Sequence, residues 1–306
     1  MNHRLHSISG TVTTDDDQVL LKMTTLNIFA NFFIDTPERL LRMQDSFESF
    51  KDVKADKWVI NVRGRFADQV VSFLAEGLGE KLISFRLHSR NGWFYDTRKM
   101  LPAIDGDYVF FWLEDHINMS DIETLNSTVE DLKKNDIDYM HYTFWWNGAL
   151  RQRYKGIPMN SGDAIDWFCH AASNNPIIQS NASGGVFIIA ACSIFKKDLF
   201  SRIVLADDPV EKRWPRETPF DFEKGPTDVH WLPLKVALPR QELFASIDDD
   251  HVHPGSCLIS RGLYPCREQR QTYAMLKTTS LHDKMRSLAE KLFRLVISMF
   301  DVHSNK

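Results

Sequence analysis

Three groups of carboxylate and imidazole side chains are this chain's candidates for chemistry. The first is Glu114-Asp115-His116. The second is Asp221-Phe222-Glu223 with Asp228 and His230. The third is Asp248-Asp249-Asp250 with His251 and His253. Oxygen-rich ligation with an added imidazole suits Mg2+ or Mn2+ better than a soft metal, and such a cation can in turn hold phosphates. Each group alone also has a plainer reading. Three consecutive Asp are ordinarily a solvated loop, and a His beside a carboxylate is ordinarily a satisfied surface pair.

The elements around the first group give it its place. Asp105-Gly-Asp107 reads as a turn, and Tyr108 to Leu113 is an unbroken apolar run that ends abruptly in Glu114, Asp115 and His116. A short apolar run bounded by turn residues reads as a strand buried on both faces, the central strand of a mostly parallel sheet. Carboxylates at its end are costly inside a core, so they belong at the carboxyl edge, where open α/β sheets bind ligands. Strands are expected at 25–34, 57–62, 81–87, 107–113 and 138–144. Helices are expected at 39–50 (Asp35 or Thr36 as N-cap, Pro37 at the first helical position), 68–78 (ended by Gly77 and Gly79), 93–101 (stopped by Pro102) and 121–134. Strands alternating with helices at this spacing argue for right-handed βαβ units. No Gly-x-Gly-x-x-Gly follows the first strand and no P-loop sequence occurs, which excludes the usual dinucleotide and P-loop chemistries.

The second half is less regular. A helix is expected over 162–172, a glycine pair (Gly184, Gly185) leading into a strand over 183–191, and a helix over 193–205, after which the stretches 227–236 and 243–247 lead into the third group. The expected layout is an N-terminal arm (1–22), one continuous α/β domain (23–270, divided into 23–145 and 146–270) and a C-terminal helical tail (271–306). In that tail Met285, Leu288, Leu292, Leu295, Val296 and Met299 recur at helical steps among Lys284, Arg286, Lys291 and Arg294. The pattern fits either an amphipathic helix on an anionic membrane surface or a helix packed on the domain or on a second subunit, as in a homodimer.

Composition bounds the class. A 306-residue chain with 43% hydrophobic and 25% charged residues is ordinary for a globular protein, and a net charge of -4 gives no electrostatic case for nucleic acid. The four cysteines, Cys169, Cys192, Cys257 and Cys266, form no C-x-x-C pair and no zinc spacing, so they read as free thiols in a reducing compartment. The polar N-terminus is not a signal peptide, and no stretch reaches the roughly 18 apolar residues of a membrane span. A cytoplasmic protein, at most peripheral on the inner membrane face, is expected.

The order of these pieces resembles a glycosyltransferase of the GT-A fold, of the large family-2 type. The pieces are a first strand and a helix with Arg and Ser (Arg39, Arg42, Ser46), then Asn91-Gly92 followed by Arg98. Next come the strand end GDYVFFWLEDH (106–116) in the place of the D-x-D motif, and Gly184-Gly185-x-Phe187 before a helix. The resemblance covers roughly residues 25 to 255. It implies a GT-A-like (Rossmann-like) sheet, a nucleotide-sugar donor, a glycan or lipid-linked acceptor and an inverting displacement, and the basic tail over 281–300 would suit an acceptor of envelope polysaccharide biosynthesis at the membrane face. Glu114 and Asp115 would face the donor, with Arg90, Asn91 and Arg98 near the nucleotide. Asp115 and His116, with His251 or His253, would hold Mn2+ or Mg2+. Asp228, or else Asp221 or Glu223, would deprotonate the acceptor. The sequence departs from the pattern in three places, one of them Thr227-Asp228 where a Glu-Asp pair is usual. His116 stands where a carboxylate is usual. The base-reading acidic residue after the second strand is absent, the sequence there being Asn61-Val-Arg-Gly-Arg65. A nucleotidyltransferase or other metal-dependent phosphate enzyme, or a non-catalytic relative, is the alternative. Against a nucleotidyltransferase, Phe33-Ile-Asp-Thr-Pro37 offers neither Gly nor a basic residue for a phosphate loop.

Overall fold

The computed structural model describes residues 25–89, 92–142, 152–182, 188, 191–206, 231–249 and 255–265. A nine-stranded sheet runs through them, in the order β3-β2-β1-β4-β9-β6-β10-β8-β7. Its first four strands are β1 (Leu26–Phe33), β2 (Lys57–Arg63), β3 (Leu82–Phe85) and β4 (Tyr108–Phe111). They are mutually parallel, β1 pairing with β2 on one side and with β4 on the other. The rest of the sheet comprises β6 (Tyr139–Met140), β7 (Asn160–Ser161), β8 (Ile165–His170), β9 (Ser193–Lys196) and β10 (Leu234–Pro239). Only β8 and β9 run against the other strands of this sheet. The expected mostly parallel α/β sheet with flanking helices is therefore present.

Period-two alternation builds the two faces. Ile28, Ala30 and Phe32 of β1, with Trp58, Ile60 and Val62 of β2, bury against α1 (Pro37–Phe50), α2 (Ala67–Leu78) and α4 (Ile122–Lys134). Phe29, Val59, Val109 and Phe111 bury against α3 (Trp93–Met100) and α6 (Lys197–Leu205). One further helix, α5 (Asn175–Ala182), contributes Ile178 to that second face. The caps are chemically direct. Thr36 accepts from the Arg39 N–H, with Pro37 opening α1, and Asp121 accepts from the Thr124 N–H at the start of α4. Gly79, at φ 54°, closes α2. Gly77 lies inside α2 for another reason: a Cβ there would meet the Phe47 ring at 2.7 Å, so the glycine lets α2 lie close to α1.

Two expected helices are corrected. Residues 165–170 of the expected 162–172 helix form β8, antiparallel to β10. Ile165 and Phe168 are three apart, which imitates a helical stripe, but pairing along β10 decides the conformation. The Asp131 carboxylate on α4 fixes the turn before β8 by accepting from the Ala164 N–H at 2.8 Å and the Ile165 N–H at 3.2 Å. The expected 193–205 helix begins only at Lys197, because Ser193–Lys196 is β9, inserted antiparallel between β4 and β6. Of the expected strand over 183–191 only the buried Ile188 and Ala191 are described, and the tail helix over 281–300 lies outside the described residues. None of the described helices is long and apolar enough to cross a membrane. The described cysteines, Cys169, Cys192 and Cys257, are free thiols.

Candidate active site

β4 leaves the sheet ladder at Phe111. Trp112 still donates its N–H to the Phe29 carbonyl at 2.9 Å, and the chain then turns through Glu114 and Asp115. Ser46, buried in the middle of α1, ties this turn down. Its hydroxyl donates to the His116 carbonyl and accepts from the Trp112 indole N–H at 2.8 Å. The strand end is thereby fixed to the helix behind it.

After the turn, His116–Asn118 forms β5, which pairs antiparallel with β11 (Phe244–Ser246) in a separate two-stranded sheet. Ser246 lies opposite His116, and the Ile247 N–H donates to the Asp115 carbonyl at 2.7 Å. This pairing carries Asp248 and Asp249 to the end of the strand that bears Asp115. The first and third sequence groups are thus neighbours. Arg42 of α1 binds them together. Its Nη1 donates to Asp248 Oδ2 at 2.6 Å and its Nε to Glu38 Oε1 at 2.9 Å, with the guanidinium largely buried.

Asp115 and His116 form a second pair, with Oδ1 and Nδ1 2.7 Å apart. The imidazole is 5% exposed and edge-on to the Tyr142 ring. Burial opposes ionisation of Asp115, but the attraction and hydrogen bond of His116, with Arg42 nearby, outweigh it and hold the carboxyl below its ordinary range. Glu114 goes the other way. Poor solvation among protein atoms, with repulsion from Asp115, lifts its carboxyl to about 7, although Arg39 and His116 pull downward. Two adjacent carboxyls therefore hold different protonation states near neutrality, one ionised and one still partly protonated. At Arg42, burial disfavours the charge, and the bonds to Asp248 and Glu38 more than restore it.

A second feature lines the carboxyl edge at the ends of β1 and β2. Asn31 and Asn61 face one another across the strands, the Asn61 amide donating to Asn31 Oδ1 at 3.0 Å and to the Leu87 carbonyl at 3.1 Å. Asn31 in turn donates to Thr97 Oγ1 at 3.1 Å, and buried Asp96 accepts from the Ser89 N–H. This ladder pins residues 87–89 and the start of α3 onto the sheet. Beyond it Phe33 is 41% exposed, and the Arg63 guanidinium lies 6.0 Å from its ring centroid. Burial draws the Arg63 pKa below its ordinary value, Asp96 acting against the shift.

Among the expected site residues, Glu114, Asp115 and His116 come together, and Asp248 and Asp249 join them. Arg98 is engaged by other partners. Its Nε donates to the Val204 carbonyl at 2.9 Å and its Nη2 to the carbonyls of Leu205 and Ala206, which caps α6. Arg90, Asn91, Asp221, Glu223, Asp228, His251 and His253 lie outside the described residues. The described residues do not by themselves fit a divalent cation: no group of three or more His, Cys, Asp or Glu among them could hold one. Nδ1 of His116 is engaged by Asp115 and Asp248 by Arg42. Sequence reasoning missed the β5–β11 pairing and the tie from Arg42 to Asp248. The one signal for Arg42 was its place four residues after Glu38.

No family model and no curated protein matches the sequence. Among solved structures, the chain is similar to S. aureus TarS 1-349, with 12% identity and a TM-score of 0.46, over 72% of this chain and 60% of that one. It is similar to the mannosyltransferase PcManGT from Pyrobaculum calidifontis in complex with GDP-Man and Mn2+, with 12% identity and a TM-score of 0.45, over 78% of this chain and 61% of that one. A third match is glucosyl-3-phosphoglycerate synthase from Mycobacterium tuberculosis in complex with Mg2+ and UDP, with 15% identity and a TM-score of 0.34, over 58% of each chain. The chain spans about three fifths of the length of these proteins.

Proposed function

We propose that this chain is a glycosyltransferase that moves a sugar from a nucleotide-sugar donor to a hydroxyl of a glycan or lipid-linked acceptor. The observation that carries the proposal is the convergence of Glu114-Asp115-His116 with Asp248-Asp249 at the carboxyl end of β4. The chain crosses from β1 to β2 on one side and takes β4 on the other, so this end borders a topological switch point, where open α/β sheets bind ligands.

In this reading Asp115 stays ionised at the strand end, oriented by His116. Glu114, still partly protonated near pH 7, donates a hydrogen bond to a donor hydroxyl. Arg42 and Ser46 hold the two halves of the site in place. An anionic strand end repels a diphosphate, so the proposal includes Mn2+ or Mg2+, with Asp115, His116, His251 and His253 as the residues toward it. When bound, such a cation neutralises charge on the diphosphate. Arg90 and Asn91 are proposed at the nucleotide. Asp228, or Asp221 or Glu223, is proposed as the base that takes the acceptor proton for an inverting displacement. The layout of arm, α/β domain and tail belongs to the same proposal, with residues 281–300 on an anionic membrane surface beside a lipid-linked acceptor.

Calorimetric titration with UDP, GDP, CMP and dTDP, each with Mn2+, with Mg2+ and with EDTA, tests the proposal. Binding of one nucleotide, weakened in Asp115→Asn, is the expected result. No binding of any of the four under any of these conditions sinks it.

A further inference from the structure

The side chains of Phe33 and Arg63 lie beside the strand-end network at the same carboxyl edge, with the Phe33 carbonyl accepting from Arg39 at 2.8 Å. Phe33 is the last residue of β1 and Arg63 the last residue of β2, paired in register. Phe33 offers solvent an aromatic face, with 41% of its surface exposed. Large aromatic faces left at a ligand-binding edge are platforms for planar rings, because every nucleobase has a π-face to stack on them. The Arg63 guanidinium lies over that ring, 6.0 Å from its centroid. It makes no ion pair among the described residues, and its Nε–H is sealed from solvent without an acceptor. A buried donor without a partner is costly and calls for an explanation. Asp96, the nearest carboxylate in electrostatic terms, is spent on the Ser89 N–H.

The mounting is rigid. Gly64, at φ 95°, packs its Cα against the Ile34 backbone so closely that no Cβ fits, which locks the chain just after Arg63. The Asn31–Asn61 ladder fixes both strand ends from the other side. A planar fork of donors held beside an aromatic face selects its ligand by hydrogen-bond polarity. Guanidinium donates only. Guanine places two acceptors side by side, O6 and N7, and cytosine does the same with O2 and N3. Uracil, thymine and adenine have no two acceptors side by side, so each can satisfy only one arm of the fork.

We infer that Arg63 selects the base of the donor nucleotide, and that the base is guanine or cytosine rather than uracil, thymine or adenine, with Phe33 as its stacking platform. The inference rests on the nucleotide-sugar reading above and sharpens it. Arg63 acts as a specificity residue and takes no part in bond making.

The test is the affinity of the full chain for GDP, CDP, UDP, dTDP and ADP, with inorganic pyrophosphate as the ligand that lacks a base. GDP or CDP is expected to bind at least about tenfold more tightly than the other three, since one good bidentate pair discriminates by about 1–3 kcal/mol. Arg63→Lys keeps the charge and loses the fork, so it should erase that preference and leave pyrophosphate affinity unchanged. Phe33→Leu should weaken all five nucleotides alike. The wild-type panel is decisive even if a variant fails to fold. Tightest binding of UDP, dTDP or ADP overturns the inference and leaves the transferase reading standing. So does a guanine or cytosine preference that survives in folded Arg63→Lys. No binding of any nucleotide overturns both.

Discussion

Replacing Glu114 by Gln should change how stability depends on pH. The Glu114 carboxyl rises from 4.5 to about 7 in the folded chain, chiefly because its surroundings solvate the charge poorly. An acid whose folded pKa is raised binds more protons folded than unfolded between those two values. Its contribution to stability is therefore fully present below the unfolded pKa and is lost as pH rises through 7. A shift of this size corresponds to about 3 kcal/mol at most. Glu114 retains partial solvent access, and screening reduces the expected effect to about 1–2 kcal/mol. The coupled neighbour does not cancel it, because Asp115 is held below its ordinary range and is already ionised across this window. Urea denaturation of wild type and Glu114→Gln at pH 5, 6, 7 and 8 reads the effect. At pH 5 the two should be nearly equal. By pH 8 the variant should be the more stable by about 1–2 kcal/mol. A difference that stays constant from pH 5 to pH 8 would refute the claim that this carboxyl is held protonated by its surroundings.

Arg42→Met should destabilise the chain by about 3 kcal/mol in the same assay, because it removes the guanidinium shared by the partly buried Glu38 and Asp248 carboxylates. Asp248→Asn should cost less, and the double variant should show strong coupling. Ser46→Ala should cost about 1–3 kcal/mol, read by thermal or urea unfolding, since it leaves the Trp112 indole and the His116 carbonyl without their shared partner. Arg98→Met should lower stability by about 1–2 kcal/mol through the lost cap on α6 while leaving nucleotide affinity unchanged. A matching loss of affinity would place Arg98 in the site after all. Full-length chain should pellet with anionic liposomes more than residues 1–280 alone, and equal pelleting would remove the membrane role of the tail.

The first half of the fold was legible because each element there is punctuated by its own chemistry. Pro37 after Thr36, Asp121 before Ile122 and Gly79 after Leu78 mark helix ends, and β1, β2 and β4 are apolar runs that only a doubly buried strand accommodates. The second half was less legible because its strands are made by their neighbours. Ile165 and Phe168 carry a three-residue spacing that suits a helix until β10 claims them. Ser193–Lys196 runs without a break into α6 and is a strand only because β4 and β6 leave a slot for it. The candidate site shows the same division. Glu114-Asp115-His116 stood out as an abrupt change from apolar to acidic along one strand. Its approach to the 248–249 segment depends on two three-residue strands far apart in the chain, and no local pattern announces that pairing. The resemblance alone gave Arg98 a place near the donor phosphates. Only the geometry shows it turned to the carbonyls of α6.

The placement of charge explains why the strand end can hold so many carboxylates before any ligand arrives. Like charges a few ångströms apart in a poorly solvated setting repel by several kcal/mol. Two devices remove that cost here. Arg42 is donated from α1 to Asp248 and lies close enough to Asp115 to favour its charge. Glu114 gives up its own ionisation near neutrality, so the 114–115 pair carries less than two full charges. The first device is fixed by geometry, since Glu38 orients the guanidinium from one turn earlier on α1. The second is adjustable. Any cationic ligand group brought to the strand end lowers the Glu114 pKa and draws its proton off. Binding of such a ligand should therefore release protons between about pH 6 and pH 8. Calorimetry in buffers of different ionisation enthalpy would register that release. The same experiment on Glu114→Gln should show none, and proton release that persists in the variant would move its source away from this carboxyl.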